Sequence, residues 1–137
     1  MLPGAIVRTM TMNSALIIRP TWADKLTAGE DPKTWEIRGS NTKKRGLVGF
    51  IKSGASEVMG SAELIDSFPL TKELYEANME KHQTEFWGDV AGCYKTPWVW
   101  VFENGTRLET PVPVERKKGQ VVWAKIDMGI KSQSRYR

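Results

Sequence analysis

Hydrophobic and polar residues alternate in short blocks along this chain, a pattern typical of a protein built mainly from β-strands. Residues 15–18 form a continuous apolar run, which indicates a buried strand. Residues 34–38 and 98–103 alternate with a period of two, which predicts strands that bury one face. Three further strands are predicted at residues 47–52, 58–65 and 121–126.

Two segments carry signals for helices. Pro20 suits the first helical position, where its missing N–H costs nothing, and Gly29 suits a left-handed helix end. Thr71 is a suitable N-cap for a second helix that runs to about residue 85. The glycine-containing residues 86–95 are predicted to be irregular, and Asn104-Gly105 is predicted to form a turn. The predicted order of elements is β-α-β-β-β-α-β-β.

The composition excludes several classes of protein. The 137 residues suffice for one domain, and the single Cys93 excludes an internal disulfide and a thiolate zinc site. The single His82 excludes a two-His metal site, and its polar surroundings predict a surface position. The longest apolar run, residues 98–102, is too short to cross a bilayer, and no signal peptide is recognisable. We therefore expect a cytoplasmic protein without a metal, a cofactor or a membrane partner.

The net charge of +4 is concentrated at one end of the chain. The last seven residues carry three basic groups and no acidic group, so the remainder has a net charge of only +1. Local clusters are more informative than the sum. Lys43, Lys44 and Arg45 are candidates for contacts with a nucleic-acid backbone, although solvated turns also carry such runs.

Four short motifs occur in an order and spacing that is specific in combination. They are RPTWA at residues 19–23, KTWEIR at 33–38, GSAEL at 60–64 and WVWVFEN at 98–104. Together they resemble the ASCH domain family over about residues 14–127. The resemblance implies an α+β fold: a small PUA-like mixed β-barrel of about six strands with two helices packed at its ends. The predicted domain is 13–128, with an N-terminal extension of residues 1–12 and a basic tail of residues 129–137.

The resemblance also implies a function. ASCH domains are generally regarded as RNA-binding modules, and some small bacterial members are enzymes. One group removes the acetyl group of N4-acetylcytidine, and another has been linked to ribonuclease activity. The amidohydrolase group uses a Lys, a Thr three residues later and a distal Glu. Lys33 matches the Lys and Glu85 is a candidate for the distal Glu, but Glu36 stands where the Thr would be.

The candidate catalytic residues are Lys33 and Glu36. Glu36 and Arg38 are two apart on a strand, so their side chains share one face. A carboxylate accepts hydrogen bonds from the exocyclic amine of a base, an Arg suits phosphate, and a buried Lys can serve as a base. The alternative is a structural ion pair, which is common between such neighbours.

Further candidates for ligand binding are Trp22, Arg38, Lys52 and Ser53. Trp22 stands at a helix start, where its ring can stack on a base. Lys52 and Ser53 lead into a small-residue turn that a phosphate can approach. Trp35, Trp100 and Trp123 are expected to pack inside the protein, whereas Trp87 is expected to be exposed.

The leading interpretation is a domain that holds single-stranded or modified nucleotides of RNA in a cleft. An alternative is a small hydrolase with a Lys/Glu centre, acting on acylated cytidine or as a ribonuclease. A third possibility is a protein-interaction module. The sequence leaves the ligand, the presence of catalysis and the oligomeric state open.

Overall fold

The computed structural model describes the backbone of residues 5–135 and the side chains of residues 11–129. Its strands are β1 (Ala5–Ile18), β2 (Trp35–Arg38), β3 (Gly46–Lys52), β4 (Glu57–Pro69), β5 (Trp98–Pro113) and β6 (Trp123–Arg135). Its helices are α1 (Pro20–Leu26), α2 (Lys72–Ala77), α3 (Met79–His82) and α4 (Trp87–Cys93).

The six strands form one mixed sheet in the order β2-β5-β4-β3-β1-β6. β1 and β3 are parallel, and the other neighbouring pairs are antiparallel. The predicted α+β fold with six strands is therefore confirmed. The predicted barrel is not closed: within residues 5–135, β2 and β6 are the two free edges of an open sheet.

The two ends of the described chain lie side by side. β1 pairs with β6 from Ala5, opposite Arg135, to Leu16, opposite Trp123. Residues 5–12 and 129–135, which belong to the predicted extensions, thus continue the β1–β6 pair. The division into a domain of residues 13–128 and two flanking extensions stays a prediction.

The described residues contain four helices where two were predicted. α1 begins at Pro20 as expected but ends before Thr27, not at Gly29. The predicted helix over residues 71–85 begins correctly, because the Thr71 side chain accepts a hydrogen bond from the Leu74 N–H at 3.2 Å. It is divided by Asn78, whose backbone leaves the helical conformation.

Two further local predictions are wrong for physical reasons that the sequence does not show. Residues 87–93 form α4 despite Gly88 and Gly92, because Val90 is buried against the sheet and tertiary packing outweighs helix propensity. Asn104-Gly105 does not turn the chain. The left-handed Asn104 introduces a register shift between β4 and β5, and β5 continues to Pro113.

Packing on the two sides of β2 and β5 creates the space for a cleft. α1 packs with β3, β4 and β5 in a core that includes Leu26, Phe50 and Trp100. α2 and α4 pack with β2 and β5 in a separate cluster around Trp35 and Tyr75. Between these two bodies, Glu36 and Arg38 of β2 line a cleft. No helix within residues 5–135 is long and apolar enough to cross a membrane.

Candidate functional site: a polar cleft beside β2

A cleft of about 600 Å³ lies between α1 and the segment of residues 83–94, and β2 forms part of its lining. We call it the main cleft. Its charged lining residues are Arg19, Lys25, Lys33, Glu36, Arg38, Glu85 and Asp89. Ligand sites are commonly of this size and combine apolar walls with a few convergent polar groups.

Lys33 is buried, with only 1% of its surface exposed. Its ammonium group donates a hydrogen bond to the backbone carbonyl of His82 and lies 4.5 Å from the centre of the Trp22 ring. Burial lowers the pKa of Lys33 from 10.5 to about 8, although the Glu36 carboxylate opposes this shift. Lys33 is therefore a cation at neutral pH that can lose its proton near the physiological range.

Glu36 lies between two cations, Arg38 on β2 and Lys33 in the loop before β2. One carboxylate oxygen is 3.6 Å from the Lys33 Nζ, and the other is 3.6 Å from an Arg38 nitrogen. Burial raises the pKa of Glu36, and both cations oppose the shift. Because hydrogen bonds of this kind are normally shorter than about 3.2 Å, the two ion pairs leave the carboxylate able to accept hydrogen bonds from a ligand.

His82 is buried, and its predicted surface position is wrong. The ring stacks on Tyr75 with centroids 4.1 Å apart. The Nε2–H donates to the Tyr75 carbonyl at 2.7 Å, and Nδ1 accepts from the Thr84 N–H at 3.0 Å, a pattern that requires the neutral ring. Burial lowers the pKa of His82 accordingly. This network fixes the carbonyl that binds Lys33.

Arg38 connects the cleft to the core. Its guanidinium lies 5.3 Å from the centre of the Trp100 ring, and the Trp100 indole N–H donates to the Ser40 carbonyl at 2.8 Å. The Arg38 side chain is 19% exposed, so one edge of the fork remains available at the mouth of the cleft. An Arg in this position can bind a phosphate oxygen.

Four of the sequence-predicted residues thus come together: Trp22, Lys33, Glu36 and Arg38 all line the main cleft. Lys52 and Ser53 do not line it. The Lys52 ammonium lies 2.8 Å from Asp24, which also binds Arg107 at 2.6 Å. The Lys52 hydrogen bond lowers the pKa of Asp24. A ligand contact by Lys52 or Ser53 therefore stays a prediction that this geometry does not strengthen.

The basic cluster of residues 43–45 lies in the loop between β2 and β3. Lys43 is exposed. Lys44 contacts the Ser14 hydroxyl at 3.1 Å and lines a second groove, while Arg45 binds the backbone carbonyls of Thr42 and Lys44. Backbone contacts of this loop with nucleic acid stay a prediction.

Sequence reasoning missed part of the cleft wall. Glu85 was considered and does line the cleft, but Thr84, Phe86, Asp89 and Tyr94 were not considered. These residues lie in or next to α4, a helix that the sequence did not predict because it contains two glycines. The contact between Lys33 and the His82 backbone carbonyl was also missed, because the order of side chains along the sequence does not show which carbonyl a residue will contact. No cluster of three or more metal-ligating side chains occurs within the described residues.

The fold and the cleft together define a class: a small α+β protein with an open mixed sheet and a buried Lys-Glu-Arg row in its cleft. Solved structures with this fold include ASCH from Zymomonas mobilis, with a TM-score of 0.62, and two variants of the same protein, with TM-scores of 0.65 and 0.66. They are 10–12% identical to this chain, and the matches cover 82% of it and 86–88% of theirs. No family model and no curated protein matches the chain. The ASCH resemblance is thereby confirmed for the fold.

Proposed function

We propose that the protein binds single-stranded RNA and places one nucleotide in the main cleft. The observation that carries this proposal is the row of Lys33, Glu36 and Arg38, in which the buried Glu36 carboxylate lines the cleft between two cations. Both ion pairs of Glu36 are 3.6 Å long, so the carboxylate oxygens keep capacity for further hydrogen bonds, which favours a ligand that donates them.

The chemistry of the row suits the donor edge of a base. Glu36 can accept from an exocyclic amine such as the N4 amine of cytosine, and the adjacent Lys33 ammonium can donate to a base carbonyl. Trp22 offers an indole wall, which favours a flat ligand. Arg38, at the cleft mouth, is placed to bind the phosphate of the same nucleotide.

The test is the affinity for a short cytidine-rich RNA at several salt concentrations. We expect binding that weakens as salt rises, because phosphate contacts release counterions. Glu36→Gln should weaken binding by about fivefold to 150-fold, as expected for a base contact of about 1–3 kcal/mol. The matched control is Glu109→Gln, an exposed carboxylate on β5 that lies outside the cleft. Equal affinities of the two variants would contradict the proposal.

A second candidate function is hydrolysis of an N4-acylated cytidine. It is favoured by one observation: Lys33, with its pKa lowered to about 8, lines the same cleft as Glu85. Deprotonated Lys33 would take a proton from water as the water oxygen attacks the acyl carbonyl. The C–N4 bond then breaks, the amine of cytidine regains a proton, and a carboxylic acid leaves.

Incubation with N4-acetylcytidine, analysed by mass spectrometry, separates the two candidates. Hydrolysis predicts cytidine and acetate, and Lys33→Met should abolish both products. Lys72→Met, an exposed lysine on α2, is the control of equal size and charge. Intact substrate with the wild-type protein would exclude this activity and leave binding alone. When the cytidine-rich RNA is added to the incubation, a ribonuclease activity would release fragments from it. The cytoplasmic location stays a prediction.

A further inference from the structure

A second groove lies at the junction of the loop of residues 39–45 with β1 and β6. It has a volume of about 740 Å³ and is lined by Asn13, Ser14, Lys44 and residues 119–126. Its two charged lining residues, Lys44 and Lys125, are both cations, and none of its described lining residues is acidic. We call it the tryptophan groove, after Trp123 at its centre.

Trp123 was expected inside the protein, but it is only half-buried. One face of its indole stacks on Trp100, with centroids 5.7 Å apart and planes 9° apart. The Lys44 ammonium lies 5.0 Å from its ring centre. Next to it, Val121 is 77% exposed, so an apolar rim accompanies the aromatic and cationic groups. Aromatic rings flanked by cations are the usual components of a single-strand binding surface.

A chain of side-chain contacts links the groove to the main cleft. Arg38 lies over Trp100, Trp100 stacks on Trp123, and Trp123 is covered by Lys44. Each of these three steps is between 5.0 and 5.7 Å. Trp100 is buried, so it contacts Arg38 and Trp123 from the core side and is not itself a stacking surface. Small single-strand binding folds take about 4–16 nucleotides, and the lower end of this range sets the length of the probe.

We propose that the tryptophan groove binds the nucleotide next to the one in the main cleft. Its base stacks on Trp123, while Lys44 and Lys125 contact its phosphates. An exposed contact between an ammonium and an indole is weaker than base stacking, so the base can displace Lys44 from the ring toward a phosphate. This inference rests on the proposed RNA binding and assigns it a second subsite.

The test compares cytidine monophosphate with a four-nucleotide cytidine RNA. For the wild-type protein we expect the longer ligand to bind more tightly. Trp123→Leu should reduce the affinity for the four-nucleotide RNA by about fivefold to 150-fold and leave that for the mononucleotide unchanged. Trp123→Phe should restore part of the loss, which shows that stacking is responsible.

Lys44→Gln provides a second readout that does not depend on the packing of Trp123. The slope of log K against log salt for the four-nucleotide RNA should become shallower by about 0.7, the value for one phosphate contact with a single strand. The matched control is Lys81→Gln, because Lys81 also lies over an indole, 5.2 Å from the ring centre of Trp35, but outside the groove. Its slope should equal that of the wild type.

The outcomes separate the two proposals. A loss confined to the longer RNA supports the second subsite. If Trp123→Leu loses equal affinity for both ligands, or loses none for either, the second subsite is overturned. Equal slopes for Lys44→Gln and Lys81→Gln would also overturn it. Each of these outcomes leaves the proposed site in the main cleft intact. If the wild-type protein binds neither ligand, the proposed function itself fails, and the inference fails with it.

Discussion

Lys33 and Lys44 both place an ammonium group over an indole ring, but in opposite surroundings. Lys33 lies 4.5 Å from the Trp22 ring centre and is buried between the Glu36 carboxylate and the His82 carbonyl. Lys44 lies 5.0 Å from the Trp123 ring centre and is exposed, with the Ser14 hydroxyl as a further partner. The same kind of side-chain pair therefore occurs in the interior at Lys33 and on the surface at Lys44.

This difference separates the chemistry of the two sites. Burial brings the pKa of Lys33 to about 8 and makes its charge depend on its neighbours. An exposed lysine keeps its charge at neutral pH and exchanges partners at little cost. The main cleft is thus suited to reading or transforming one group, whereas the tryptophan groove is suited to holding a strand whose sequence is not read.

The largest expected effect concerns the buried row. Glu36→Gln removes the carboxylate and leaves the Lys33 ammonium buried without a counterion. Removing one partner of a buried pair typically lowers the free energy of unfolding by about 3–5 kcal/mol. Urea unfolding followed by tryptophan fluorescence measures this loss.

The matched double variant tests the cause. Lys33→Met together with Glu36→Gln removes both buried charges, so it should be more stable than Glu36→Gln alone. If Glu36→Gln lowers the free energy of unfolding by less than about 1 kcal/mol, water reaches the row and screens its charges. In that case the main cleft would resemble the tryptophan groove, and the comparison would fail.

The next effect concerns the position of α1, which carries Trp22. A Cβ added to Gly105 would overlap the carbonyl oxygen of Leu26 at the end of α1. We expect Gly105→Ala to lower the free energy of unfolding by about 1–3 kcal/mol, as overpacking does, and to weaken binding in the main cleft more than in the groove. Gly92→Ala is the control, because open space surrounds Gly92 in α4. It should stabilise the protein by about 0.5–1 kcal/mol, and equal effects of the two variants would contradict this interpretation.

A smaller effect concerns pH. Burial holds the pKa of His82 below its ordinary value of 6.5, so the folded protein binds fewer protons than the unfolded chain below that pH. Stability should therefore fall as the pH is lowered through about 6.5. Unfolding in urea at pH 7.5 and 5.5 measures this change. His82→Gln should reduce the difference between the two pH values, and an unchanged difference would exclude His82 as its source.

The order and number of strands could be predicted because strand patterns are local. The KTWEIR segment, for example, shows by alternation alone that Glu36 and Arg38 share a face. The open sheet could not be predicted, because the pairing of β1 with β6 joins opposite ends of the chain. α4 was missed for a related reason: its stability comes from Val90 packed against distant strands, and its own residues do not favour a helix.

For the candidate site, the sequence likewise predicted the residues but not the contacts that determine their chemistry. Motif and alternation identified Lys33, Glu36, Arg38 and Trp22, which do meet in one cleft. The features that set their chemistry come from elsewhere. The carbonyl that binds Lys33 belongs to His82, which is positioned by Tyr75 and Thr84. Such backbone contacts over long sequence separations depend on the fold and have no local signature.

The smallest expected effect completes the comparison of the two lysines. Lys44→Gln removes an exposed contact with an indole and one hydrogen bond to Ser14. Exposed cation–π contacts contribute about 0.5–1 kcal/mol, and most surface substitutions change stability by less than about 0.5 kcal/mol. The free energy of unfolding should therefore change by no more than about 1 kcal/mol. Raising the salt concentration should not alter this small difference. A loss as large as that of Glu36→Gln would mean that Lys44 is part of the folded core, and the groove would then be closed to RNA.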